Sequence, residues 1–323
     1  MIHPSVAACV GSTPVVALDR LFPGEEVNVY AKLEFLNPSG SIKDRPARFI
    51  IERGMASGVI RAGMHLVEST SGNFGIALAM MCAINGITFT AVVDPNTVPA
   101  NLAILRNFGA RIDMVDVPDD SGGYLKTRVA RVQEIVRADA NSMWVNQYAN
   151  SLNWQAHDST GQEIIDQIDG QIDYFVAAVS TAGTIMGTAR RLRSKFPRLK
   201  VVAVDAVGSV IFGGRSAPRR LPGIGSSRVP EILDRSQVDQ VVYVDDEASI
   251  RGCLDLLSRE SIFAGGSSGS VISAIQSLLP ALPRGARVVT LLPDRGERYL
   301  DLIYGEGRAS HGGDLLSAAA IAR

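Results

Sequence analysis

The chain has 323 residues, of which 46% are hydrophobic and 20% charged, so it is a globular chain too long for one small core. Thirty-two Lys and Arg residues against 33 Asp and Glu give a formal net charge of −1, which excludes a basic field for nucleic acid or an anionic membrane. The longest apolar stretch, Ile76 to Ile87, is broken by Asn85 and Gly86 and is too short to span a membrane.

The N-terminal segment lacks a basic stretch followed by an apolar run, so no secretion signal is predicted. The cysteines Cys9, Cys82 and Cys253 are odd in number and lack metal-ligand spacing. The four histidines are equally scattered, which predicts no metal site. We expect a cytoplasmic protein with reduced thiols and no bound metal.

Runs rich in Val, Ile and Ala alternate with helix-favouring segments along the chain. Strands are predicted at Val27–Leu33, His65–Glu68, Thr88–Val93, Arg111–Val115, Met143–Val145, Tyr174–Ala178, Val201–Val207, Gln240–Val244 and Arg287–Leu292. Helices are predicted at Arg45–Ala56, Phe74–Ile84, Pro99–Asn107, Lys126–Ala138, Thr184–Lys195, Ser249–Ser258 and Ser270–Leu279. This alternation predicts an α/β fold of two doubly wound halves with parallel sheets and a cleft between them.

A turn rich in Pro, Gly and Ser, Asn37–Ser41, leads into a predicted helix that has Lys43 on its first turn. The positive end of the helix dipole disfavours a lysine charge there and lowers the pKa of the amine. A lone lysine is more often a solvated surface residue. The small residues before Lys43, and Asp44 and Arg45 after it, favour a nucleophile or base instead.

Three further small-residue loops each follow a strand or an apolar segment and open a helix. Ser69–Gly75 offers N–H groups and hydroxyls to a carboxylate, although an ordinary helix cap is the alternative. Ser180–Thr184 suits a phosphate at a helix N-terminus, but it is neither a Walker sequence nor a dinucleotide motif. Ala264–Gly269 enters another helix. The four clusters together are stronger evidence for a binding site than any one alone.

These clusters resemble those of the fold-type II pyridoxal-phosphate enzymes of the cysteine synthase and cystathionine β-synthase family. The resemblance covers nearly the whole chain, from the Gly11–Pro14 segment to the Pro293–Leu300 segment. It implies a smaller domain at 35–145, a larger cofactor-binding domain at 1–34 and 146–305, and a C-terminal tail at 306–323. It also implies an active site in the cleft and a homodimer.

The same resemblance implies a role for each matching residue. Lys43 would carry pyridoxal 5′-phosphate and act in catalysis, Asn73 would contact the cofactor's phenolic oxygen, and Ser267 would face its pyridine nitrogen. The cofactor phosphate would bind the loop of Ser180, Thr181, Ala182, Gly183 and Thr184. The substrate carboxylate would bind Thr70, Ser71, Gly72 and Gln147.

Several residues depart from the cysteine synthase pattern. Phe74 stands where Thr is usual, Ser180 and Ala182 replace two glycines, and Arg228 lies in a segment that usually ends Gly-Phe-Ile-Pro. These departures resemble the branch of the family that makes 2,3-diaminopropionate precursors for siderophores and peptide antibiotics. By this resemblance the substrates are O-phospho-L-serine and L-glutamate.

Both of these substrates are anionic, so the mouth of the cleft needs cations. Arg228 is the stronger candidate, because Arg128 could equally lie on a solvated helix face, as expected for Arg131. Tyr148 could bind substrate or pack in the cleft. The main alternative is a cysteine synthase that uses O-phosphoserine or O-acetylserine with sulfide. A catalytically idle binding subunit is a second alternative, which the intact Lys43, Asn73 and Ser267 oppose.

Overall fold

The computed structural model describes residues 2–24, 26–119 and 122–305. These residues form ten strands: β1 (Val15–Ala17), β2 (Val27–Leu33), β3 (His65–Ser69), β4 (Thr88–Val93), β5 (Arg111–Met114), β6 (Ser142–Trp144), β7 (Tyr174–Ala178), β8 (Lys200–Ala206), β9 (Gln240–Val244) and β10 (Ala286–Leu292). They also form nine α-helices: α1 (Asp44–Ala56), α2 (Asn73–Ile84), α3 (Pro99–Asn107), α4 (Leu125–Ala138), α5 (Ser151–Gln155), α6 (Asp158–Gln167), α7 (Gly183–Lys195), α8 (Asp246–Glu260) and α9 (Gly266–Leu278). The predicted tail at 306–323 lies outside the described residues.

The larger sheet has six strands in the order β1-β2-β10-β7-β8-β9, and β1 alone of these runs antiparallel to its neighbour. Its central strands are apolar on both faces. In β8, Val202 and Val204 enter one hydrophobic core, while Val201 and Ala203 enter another on the opposite face. Burial on both faces is what a parallel sheet covered by helices requires.

The smaller sheet has four parallel strands in the order β5-β4-β3-β6. Helix α2 packs into its core and is buried all round, from Phe74 to Cys82. The loops that follow β3 and β7 lie at the carboxyl ends of parallel strands, where α/β folds bind ligands.

The predicted fold class is confirmed, and each of the nine predicted strands is present within one residue at either end. Strand β1 and helices α5 and α6 were not predicted. The three residues of β1, Val-Val-Ala, show no alternation of apolar and polar side chains that would indicate a strand. The bounds of the two domains stay a prediction. In the part of the chain that is described, no helix is both long and apolar enough to cross a membrane.

Helix α9 begins at Gly266, four residues before the predicted start at Ser270, so Ser267 lies on its first turn. The low helix propensity of Gly and Ser hid this turn. The helix is held against α8 by a close backbone approach. A Cβ atom at Gly252 would lie 2.1 Å from the Gly269 carbonyl oxygen. The position of Ser267 therefore depends on a glycine contact.

Substituting Gly252→Ala should push α8 and α9 apart. We expect the free energy of unfolding to fall by about 1–3 kcal/mol, the usual cost of overpacking a closed interface. Urea unfolding followed by circular dichroism measures it. Arg251→Ala, at the neighbouring exposed position, is the matched control. Equal unfolding midpoints for the two variants would contradict the account of this contact.

Candidate active site

Lys43 stands directly before α1, in a turn pinned to the end of β10. The Ile42 N–H donates to the Pro293 carbonyl at 2.8 Å, and Ser41 forms an isolated bridge with Asp294. On the other side, the Ser39 N–H donates to the Asp44 carboxylate at 2.7 Å. These bonds hold the lysine at the junction of the two sheets.

The Lys43 side chain is half-buried, so it is not the solvated surface lysine of the alternative interpretation. Burial lowers the pKa of its amine, whereas the negative charges of Asp294 and Glu34 raise it. The lowered pKa has the predicted direction, with burial as its main cause. A lower pKa makes the neutral, nucleophilic amine more accessible near neutral pH.

A cavity beside Lys43 brings together residues from several separate predicted clusters. It is lined by Ile42, Lys43, Ala177, Ala178, Ser180, Thr181, Ala182, Gly183, Thr184, Ile185, Gly223, Ser267, Leu291 and Pro293. The proposed phosphate loop, the lysine and the Ser267 position therefore share one cavity, although they are far apart in the chain.

The loop Ser180–Thr184 wraps the N-terminus of α7. Ala182 caps the helix in the left-handed conformation, at φ 65°, which turns the chain sharply there. The first N–H groups of the helix have no partner within the helix, so they can bind an anion. The Ser180 hydroxyl instead donates to the Gly225 carbonyl at 3.1 Å, which ties the loop to the segment that carries Arg228.

Two buried side chains that were not predicted support this loop. Asn153 Nδ2 donates to Thr181 Oγ1 at 3.3 Å and to the Gln147 carbonyl at 2.7 Å. His157 Nε2 lies 3.3 Å from Thr184 Oγ1, and its Nδ1 lies 3.1 Å from Thr160 Oγ1. Burial holds the pKa of His157 well below its usual value, aided by the charges of Lys43 and Arg45. His157 is therefore a neutral support for the Thr184 hydroxyl.

Asn73 lies on the first turn of α2 and reaches across to the end of β10. Its Nδ2 donates to Asp294 Oδ2 at 2.7 Å, and Arg298 donates to its Oδ1. Tyr299 donates to the same carboxylate. The amide therefore has a fixed orientation and keeps one N–H for a ligand.

The loop that follows β3 has one hydroxyl committed to the helix. Thr70 Oγ1 accepts from the Gly75 N–H at 2.9 Å, a bond of the kind that the capping alternative expects, while the role of Thr70 toward substrate stays a prediction. Gln147, from the loop after β6, lies beside this loop, since its Nε2 donates to the Ser69 carbonyl at 3.3 Å. Ser71, Gly72 and Gln147 are thus brought together.

Buried Glu68 joins these two loops and was also not predicted. Its carboxylate accepts from the N–H groups of Ser69 at 2.9 Å and Gln147 at 3.1 Å, and from Trp144 Nε1 at 3.2 Å. Burial raises its pKa to about 7, while these donors lower it. No sequence motif indicates this contact, because its partners lie on different strands.

Arg228 and Arg128 both lie near the Tyr148 ring. The Arg228 guanidinium stacks 4.9 Å from the ring centroid and pairs with Glu231. Arg128 Nη1 lies 3.2 Å from Asp94 Oδ2 in an ion pair that lacks hydrogen-bond geometry, and its Nε has no acceptor within the described residues. Burial raises the pKa of the Tyr148 hydroxyl, and the positive charges of both arginines lower it.

The comparison with Arg131 separates Arg128 from an ordinary surface arginine. The Arg131 side chain is 44% exposed and pairs with Asp113 and Glu134, whereas the Arg128 side chain is 13% exposed. Arg128 is therefore a half-buried cation that is paired with Asp94 and keeps its Nε donor unused within the described residues, on the same helix as a solvated arginine. Its role in binding substrate stays a prediction.

The donors around the cavity fit pyridoxal phosphate. One amine with a lowered pKa, an anion-binding helix start with threonine hydroxyls, and a serine hydroxyl on a second helix start face one space. Lys43 would hold the aldehyde carbon, the Thr181–Thr184 turn the phosphate, and Ser267 the ring nitrogen.

Parallel sheets covered by helices, with a lysine and an anion-binding loop in one cavity, are typical of a class of cofactor-dependent enzymes. The family model for pyridoxal-phosphate dependent enzymes matches residues 6–294. The chain belongs to this family, and its cofactor is pyridoxal phosphate.

The chain is also similar, over nearly its full length, to individual proteins with a named activity. The chain is 54% identical, over 99% of its length and 96% of the relative, to N-(2-amino-2-carboxyethyl)-L-glutamate synthase of Ralstonia nicotianae (strain ATCC BAA-1114 / GMI1000). It is also similar to the crystal structure of O-ureido-L-serine synthase, with a TM-score of 0.89 and 31% identity over 98% of this chain and 100% of that one. The O-acetylserine dependent cystathionine beta-synthase of Helicobacter pylori gives a TM-score of 0.87 and 30% identity, over 94% and 100%.

Replacing Lys43 by alanine should abolish turnover, because no other amine lines the cavity among the described residues. The fold should survive, since a half-buried side chain is lost from a turn held by backbone bonds. Steady-state assays and circular dichroism measure the two effects. Lys126→Ala, at an exposed site on α4, is the control. Normal turnover by the Lys43 variant would contradict the assignment.

Proposed function

We propose that this protein joins O-phospho-L-serine and L-glutamate into N-(2-amino-2-carboxyethyl)-L-glutamate and releases phosphate. The observation that carries the proposal is the 54% identity, over nearly the full length of both chains, to a relative with that name. The bond between the serine Cβ and the phosphate oxygen breaks, and a bond between Cβ and the glutamate nitrogen forms. The substrates become one product and inorganic phosphate, so the reaction needs no oxidant or reductant.

Bound pyridoxal phosphate supplies an electron sink that stabilises negative charge at the substrate Cα. The Lys43 amine, free to act as a base when phosphoserine is bound, would take the Cα proton on Nζ. Departure of phosphate then leaves Cβ open to the glutamate nitrogen. Lys43 returns the proton to Cα and closes the cycle. The lowered pKa of Lys43 favours this base role, because a larger fraction of the amine is neutral.

Ser267 favours elimination over transamination in this proposal. A carboxylate facing the pyridine nitrogen would keep that nitrogen protonated and deepen the electron sink. A neutral hydroxyl gives a shallower sink, which favours expulsion of a good leaving group such as phosphate. The adjacent α9 start adds partial positive charge without adding a proton acceptor.

The negative charges of the proposed substrates account for the presence of two arginines near Tyr148. Phosphoserine brings a phosphate and glutamate brings two carboxylates, which guanidinium groups bind in a bidentate manner. Arg128 is half-buried with its Nε donor unused within the described residues, and Arg228 lies on the segment tied to the phosphate loop through Gly225. Sulfide would need neither cation. The charge pattern thus supports the amino-acid nucleophile.

We further propose a cytoplasmic homodimer, whose product serves as a precursor of L-2,3-diaminopropionate for a siderophore or a peptide antibiotic. The cytoplasmic setting follows from the scattered, reduced cysteines, of which Cys82 and Cys253 are buried. The dimer follows from the family resemblance.

The test offers phosphoserine with glutamate and sulfide at equal concentration and identifies the products by mass spectrometry. We expect N-(2-amino-2-carboxyethyl)-L-glutamate to dominate, and to retain the label when nitrogen-15 glutamate is used. Cysteine as the main product would make the protein a cysteine synthase. Release of pyruvate and ammonia alone would exclude both syntheses.

Replacing Arg228 or Arg128 by alanine should weaken use of the anionic substrates. A lost charge-assisted hydrogen bond in a closed cleft is worth about 1.5–3 kcal/mol, so kcat/KM should fall roughly tenfold or more. Arg131→Ala, on the same helix as Arg128, is the control and should change kcat/KM by less than about twofold. Wild-type kinetics in either variant would show that this arginine does not bind the substrates.

A further inference from the structure

Asn101, on the first turn of α3, is a buried polar residue that the mechanism above does not use. Its side chain is 6% exposed, and its Nδ2 donates to the Ser71 carbonyl at 3.0 Å. Its Oδ1 is buried and has no hydrogen-bond partner within the described residues. The side chain therefore makes one hydrogen bond, and that bond is to the loop proposed to bind the substrate carboxylate.

This single bond sets the direction of a peptide group. In a trans peptide the C=O and N–H point to opposite sides, and the described residues contain no cis peptide. Because Asn101 holds the Ser71 carbonyl toward α3, the Gly72 N–H of the same peptide points away from α3. The next residue, Asn73, reaches Asp294 at the end of β10. The Gly72 N–H has no acceptor within the described ranges.

Asn101 lowers the stability of the fold relative to an apolar residue of similar shape, so packing alone does not explain an asparagine here. A buried amide oxygen without a partner destabilises the fold, and an apolar residue of similar shape would remove that penalty. The Ser71 residue is only half-buried, so water could satisfy its carbonyl without Asn101. A function in orienting the loop accounts for an asparagine at this position.

We propose that Asn101 is a positioning residue for the first substrate: it turns the Ser71–Gly72 peptide so that the Gly72 N–H can donate to the substrate α-carboxylate. The proposal depends on the proposed function, which makes phosphoserine the first substrate, and on the family resemblance, which assigns its carboxylate to this loop. Asn101 itself touches neither substrate nor cofactor. It acts through the loop and so determines affinity for phosphoserine, not the chemical steps.

The test compares Asn101→Leu and Asn101→Asp with wild type. Both remove the donor to Ser71. Asn107→Leu is the matched control, since Asn107 lies exposed on the last turn of the same helix and donates to Ala103 at 2.8 Å. Measurements are the KM for each substrate, kcat, the thermal midpoint, the cofactor visible band, and the dissociation constant of L-serine from an absorbance titration.

For both Asn101 variants we expect a rise of about tenfold or more in the KM for phosphoserine and in the dissociation constant of L-serine, with kcat within about twofold. The KM for glutamate and the cofactor band should not change. Asn101→Leu should keep or raise the thermal midpoint, since it also removes the unpaired oxygen.

Wild-type affinity for L-serine in Asn101→Leu would overturn the proposal. So would weaker binding that appears only together with a lower thermal midpoint and an altered cofactor band, which marks a structural role. A wild-type protein that binds L-serine but does not join phosphoserine to glutamate would overturn the proposed function alone. A wild-type protein that binds no amino acid would overturn both.

Discussion

The buried carboxylate of Asp294 joins the two halves of the active site. It follows β10 of the larger sheet, yet it accepts from Asn73 of α2, which packs on the smaller one. Its backbone carbonyl accepts from the Gly265 N–H at 2.9 Å, at the start of α9. Burial raises the pKa of Asp294, while the hydrogen bonds from Tyr299 and Asn73 and the charges of Arg298 and Lys43 lower it. A buried carboxylate needs such partners, so the residues around it are fixed together.

Neutral side chains support the loop at the start of α7. Neutral His157 and Asn153 hold the two threonine hydroxyls of the phosphate loop without adding charge. The guanidinium groups of Arg128 and Arg228 lie instead by Tyr148. In the proposed function, helix amides would bind the cofactor phosphate in the first region, and guanidinium groups would bind anionic side chains in the second.

The parts that sequence predicts well are local, and the parts that it misses are contacts between distant elements. Apolar runs locate β7, and the small residues after it locate the loop at the start of α7. The loop's supports, Asn153 and His157, carry no such signal, because an asparagine or histidine on a helix is commonplace and its partner lies on another element. Asp294 and Arg298 fall inside the Pro293–Leu300 segment that carried the family resemblance, but nothing in that segment indicates Asn73 as their partner. The burial of the Lys43 side chain could not be predicted either, because a turn rich in Gly and Ser is usually exposed to solvent.

The central claim is that the Lys43 amine, held at the junction by the Asp294 network, carries the cofactor. Borohydride reduction of the wild-type holoenzyme, followed by proteolysis and peptide mass spectrometry, tests it most directly. The account predicts the reduced cofactor mass on the peptide that contains Lys43. Lys32, on strand β2, is fully buried, and its Nζ pairs with the Glu163 carboxylate at 2.8 Å. The peptide that contains Lys32 should carry no cofactor mass. Cofactor mass on Lys32 or on any lysine other than Lys43 would contradict the account.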